Sequence, residues 1–67
     1  MAASMDRAEI EAEVMRLEDQ LYQVADAKCD AVERRASGAE IQALQREIVR
    51  LDVRIKALRH EQRESLR

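Results

Sequence analysis

The sequence predicts an all-α fold: an antiparallel two-helix hairpin that pairs with a second copy into a four-helix bundle. Three observations predict it. Proline is absent and the 67 residues hold one glycine, Gly38, while Ala, Glu, Leu, Arg and Gln, the residues of long helices, dominate. Large apolar residues recur at alternating spacings of three and four in two separate stretches. The phase of that recurrence slips by one residue between the stretches, beside Gly38.

The first stretch carries Ile10, Val14, Leu17, Leu21 and Val24, one stripe of an amphipathic helix expected over about 5–35. Ser4 is its expected cap, with Asp6 and Glu9 in the first turn, where the helix dipole favours anions. Arg34 and Arg35 stand at the far end, where cations are favoured. The turn is expected at about 36–39. Ser37 and Glu40 have the spacing of a capping box, and Gly38 leaves a helix at little cost. Replacing Gly38 with alanine is therefore expected to weaken the reversal.

The second helix, expected over about 40–62, places Ile41, Ile48 and Ile55 at a and Leu44, Leu51 and Leu58 at d of a heptad repeat. Polar Gln62 and Ser65 continue that frame, which predicts a frayed C-terminus. Folding about residue 37 or 38 sets side by side residues whose numbers sum to about 75: Leu51 by Val24, Leu58 by Leu17, Ile55 by Leu21, and Leu44 by Ala31. Two layers are imperfect. Ile48 faces Lys28, whose methylenes can pack while its ammonium reaches water, and Gln62 faces Val14.

One continuous helix would keep the heptad frame, which this chain does not. A parallel zipper of the second helix with its own copy would oppose Glu47 to Asp52 and Arg54 to Arg59. The whole chain, 1–67, therefore reads as a single helical hairpin. Opposite charges on its halves suit the antiparallel fold: residues 1–36 hold nine acids and five bases, whereas 37–67 hold five acids and seven bases.

Apolar residues remain once this stripe is used. Met15, Tyr22, Ala25, Cys29, Val32 and Ala36 form a second band on the first helix, and Val49, Val53 and Ala57 a row on the second. Of these, Met15, Tyr22, Ala25, Cys29, Val32, Val49 and Val53 are the candidate partner or dimer face.

Chemistry beyond helix packing is not expected. His60 has no nucleophile or ligand set beside it, Cys29 has no second cysteine, and Glu9, Glu11, Glu13, Glu18 and Asp19 lack the E-x-x-H pairs of a di-metal bundle. No glycine-rich phosphate loop is present. No cofactor, metal or catalytic residue is assigned, and the chain is read as a non-enzyme.

The expected partners are a second copy and another protein. A nucleic-acid-binding regulator is the alternative, because Arg46, Arg50 and Arg54 line one edge of the second helix and Lys56, Arg59, Arg63 and Arg67 extend it. Against it stand interrupting Glu47, Asp52, Glu61 and Glu64, the net charge of −2 and the lack of any aromatic among these bases for stacking. No membrane span or secretory signal is read, and the single cysteine points to a reducing, cytoplasmic compartment. Ten arginines against two lysines suit a bacterial or phage source of high GC content. In length and layout the chain resembles the hairpin co-chaperones of type III secretion needles and the plasmid copy-number RNA modulators. That resemblance implies a small adaptor, co-chaperone or stoichiometric inhibitor, or an RNA-binding dimer.

Overall fold

The computed structural model describes residues 6–64. Helix α1 spans Arg7–Glu33 and helix α2 spans Gly38–Glu64, and the two pack against each other as an all-α hairpin.

Asp6 starts α1. Its carboxylate accepts the Glu9 amide at 2.9 Å, and its carbonyl accepts the Ile10 amide at 3.0 Å, which satisfies amides that have no partner inside the helix. The cap is thus Asp6, two residues beyond Ser4, which lies outside the described residues. The exit of α1 is a Schellman motif. The Ala36 amide donates to the Ala31 carbonyl at 2.9 Å and the Arg35 amide to Val32 at 3.2 Å. Arg35, at φ 57°, takes the left-handed position that glycine usually fills.

This moves the reversal toward the N-terminus of the expected 36–39, to residues 34–37. Gly38 is the first residue of α2, and its φ is not positive. Its expected role as the helix breaker is corrected: left-handed Arg35 turns the chain. Ser37 caps α2 by accepting the Glu40 amide at 3.2 Å. The Glu40 carboxylate, which a capping box would turn back to Ser37, takes the Arg34 guanidinium across the turn. At the other end α2 continues helical to Glu64, two residues beyond the expected limit near 62, with Gln62 donating across to Glu11 at 3.2 Å.

The core lies between the helices at the end remote from the turn. Ile10, Val14 and Leu17 of α1 are buried against Leu51, Ile55 and Leu58 of α2, with half-buried Leu21 and Val24 extending the cluster. Nearer the turn, Ala31 is fully buried, while Ile41, Leu44 and Ile48 are half-buried. Lys28 projects from the stripe level with Ile48, and its ammonium donates to Gln45 on α2 at 2.6 Å. The register follows from four cross-helix pairs: Glu11 with Gln62, Glu18 with Arg59, Lys28 with Gln45, and Arg34 with Glu40. The numbers of paired residues add to between 73 and 77.

The molecule is a rod of 48 × 19 × 16 Å with a radius of gyration of 15.2 Å. A compact domain of this length would measure about 11 Å.

A candidate protein-interaction face

Heptad positions say which residues share a flank. With Val14, Leu21 and Lys28 at a in α1, and Ile41, Ile48 and Ile55 at a in α2, antiparallel packing brings e against e and g against g. The observed pairs agree with that frame. Glu18 and Arg59, both e, meet at 2.5 Å, and Arg34 and Glu40, both g, meet at the turn. The b and e residues of both helices therefore form one broad face of the hairpin, and the c and g residues form the other.

The two faces differ in kind. The c/g face carries Glu9, Glu13, Arg16, Gln20, Gln23, Glu47, Arg50, Arg54 and Glu61, with no large apolar residue among the described positions. The b/e face carries Met15, Tyr22 and Cys29 at b of α1, Ala25 and Val32 at e, and Val49 at b of α2. Met15 is 70% exposed and Tyr22 72%, and Val32, Val49 and Cys29 are exposed as well. Ala25 differs from its neighbours in being half-buried. Val53 is exposed but does not join this face. It lies midway between core residues Leu51 and Ile55, about 200° around α2 from each at 100° per residue, and so looks outward.

Two depressions run along the b/e face at the seam between the helices. One is lined by Glu11, Val14, Met15, Arg59, Gln62 and Arg63. A smaller one, of about 210 Å³, is floored by Leu21 and Ile55 and walled by Tyr22, Glu18, Asp52, Lys56 and Arg59. Both are open grooves with mixed walls. The Glu18–Arg59 ion pair stands between them. Sequence spacing finds the apolar half of this face, but the cross-seam ion pair that divides it is visible once the register is known.

The remaining candidates lie apart from one another. His60 faces solvent and approaches Glu64 at 3.7 Å, one turn along α2. Among the described residues no group of three or more His, Cys, Asp or Glu side chains is placed to hold a metal ion, and no helix is long and apolar enough to cross a membrane. Of the arginines on α2, Arg50 pairs with Glu47 and Arg59 with Glu18, and Lys56 pairs with Asp52 at 3.0 Å. No known family model matches the chain, and no curated protein or solved structure does.

Proposed function

We propose that this hairpin is a non-enzymatic protein-interaction module, of the adaptor, co-chaperone or stoichiometric-regulator kind, that works as a homodimer. One observation carries the reading: among the described residues, four of the five exposed large apolar side chains, Met15, Tyr22, Val32 and Val49, lie on the b/e face. Large exposed apolar patches bounded by polar residues mark interaction sites. Area supports the same reading. The chain exposes 5418 Å², against about 4,300 Å² for a compact monomer of its mass. That excess, roughly 1,100 Å², is comparable with what one partner gives to a stable interface, about 800 Å². Stacking two b/e faces builds a four-helix bundle, in which each tyrosine ring is covered while its hydroxyl stays at the edge.

Sedimentation equilibrium near 10 µM tests the dimer. The expected mass is twice the 7.7 kDa of one chain, and replacing Tyr22 and Val32 together with serine should dissociate and largely unfold the protein. A well-folded 7.7 kDa species would overturn the dimer reading.

The competing occupant is nucleic acid on the arginines of α2. Intrahelical pairs at Glu47–Arg50 and Asp52–Lys56 already answer part of that charge. In gel shifts with mixed RNA and DNA at 150 mM salt we expect no complex tighter than about 1 µM, where specific complexes reach about 10⁻⁸ M. A tight complex that weakens steeply as salt rises would reverse the ranking.

A further inference from the structure

On and beside the b/e face the two helices carry opposite charge. On α1 the e and f positions hold Glu11, Glu18, Asp19, Asp26 and Glu33. On α2 the b, e and f positions hold Arg46, Lys56, Arg59 and Arg63 against one acid, Asp52. Building on the dimer proposed above, we infer that the second copy docks with its α2 over this α1, so that both turns lie at the same end of the bundle.

Two closed dimers can bury the b/e face, and charge separates them. When the two-fold axis runs along the rod, each α1 lies over the partner's α2 and every residue keeps its height. Levels then follow the register within one hairpin, with numbers adding to about 75. Asp19 comes level with Lys56 of the partner subunit, and Glu11 with Arg63 of the partner subunit. The two-fold repeats each pairing. When the axis instead crosses the rod, α1 lies on α1 and α2 on α2, with turns at opposite ends. One axis height serves both helices, and an axis at the middle of the hairpin sets levels that add to about 44 on α1 and about 106 on α2. Glu11 would approach Glu33 of the partner subunit, and Glu18 would approach Asp26 of the partner subunit.

These charges sit at the rim, where opposite signs choose orientation more than they add affinity. The pair that Lys56 makes within α2 with Asp52 is exposed and weak, so exchanging it is cheap. The apolar residues suit the same arrangement, with Val49 of one copy falling between the levels of Tyr22 and Cys29 on the other. The occupant is thus a second copy of this chain in one orientation.

Two measurements on the full chain test this. A nitroxide at position 38, in a Cys29→Ala, Gly38→Cys chain, reports the turn-to-turn distance. A Cβ there meets nothing within 4 Å. Same-end packing gives a separation under about 30 Å, from interaxial spacings of about 8–10 Å plus the two labels. Opposite-end packing gives about 40 Å or more, the length of the 27-residue helices. Charge reversal is independent of the labels. Glu11→Lys with Asp19→Lys, and separately Lys56→Glu with Arg63→Glu, should each weaken self-association about tenfold. An equimolar mixture of the two variants should restore it. A dimer with distant turns, or a Glu11→Lys, Asp19→Lys chain that dimerises more tightly than the parent, overturns the orientation and leaves the dimer standing. A monomeric parent chain overturns both, and a mass that grows past two copies favours open-ended edge-to-edge assembly and overturns the closed pair.

Discussion

At Arg35 the backbone holds φ at 57°, where the Cβ of an L-residue crowds the next carbonyl. Glycine relieves that crowding but loses more chain freedom on folding. Arg35→Gly is expected to raise stability by about 0.5–1 kcal/mol, read from the urea midpoint. Three residues on, Gly38 begins α2 with open space around its missing Cβ. Gly38→Ala is therefore expected to stabilise as well, by about 0.4–1 kcal/mol, because alanine has less freedom to lose. A fall in the midpoint for Gly38→Ala would count against helical backbone at that position. The sequence points toward the opposite effect, since a lone glycine beside a phase slip reads as the breaker. What it hides is that an arginine occupies the left-handed position, for which composition has no mark. Ser37 was legible because a hydroxyl three residues before a glutamate has a defined partner, the Glu40 amide. The route of the Glu40 carboxylate to Arg34 was not, since it depends on where the turn lies.

Each helix spends its apolar stripe unevenly. On α1 the positions toward the open end are Ile10, Val14, Leu17 and Leu21, whereas those nearer the turn include Lys28 and Ala31. Their partners on α2 follow suit: Ile55 is buried and Ile48 half-buried. Ile55→Ala is accordingly expected to destabilise by about 2–5 kcal/mol. Ile48→Ala should remove less, about 1–2 kcal/mol, since part of its surface stays wet in the folded chain. Thermal melts of the two variants, compared at one protein concentration, check the order. Ala31→Leu should also destabilise, by about 1–3 kcal/mol, because no space remains around a fully buried alanine. The heptads and the pairing level were readable from spacing, which is what helix geometry fixes. The gradient along the rod was less so, since Ile48 and Ile55 are equivalent a residues until their opposite numbers, Lys28 and Leu21, are weighed.

A rod with one polar face and one apolar face, and with acid along one edge and base along the other, has its stability tied to what covers it. In the homodimer, folding and association are coupled, so the urea midpoint should climb as protein concentration is raised from about 1 to 100 µM. A midpoint that stays constant would indicate a hairpin folded alone. Added salt should lower the affinity modestly, since the opposed edges are exposed and screened over about 8 Å at physiological ionic strength. The placement of the densest packing at the end remote from residues 34–37 has a further consequence. The covalent connection is far from the contacts that hold the helices together, and serves chiefly to keep them near each other, at an effective concentration in the millimolar range. Severed between Ala36 and Ser37, the two fragments should recognise each other and re-form the paired helices when mixed, each nearly unstructured alone. The hairpin would then behave as a complementing pair of peptides, with its loop open to insertion or exchange.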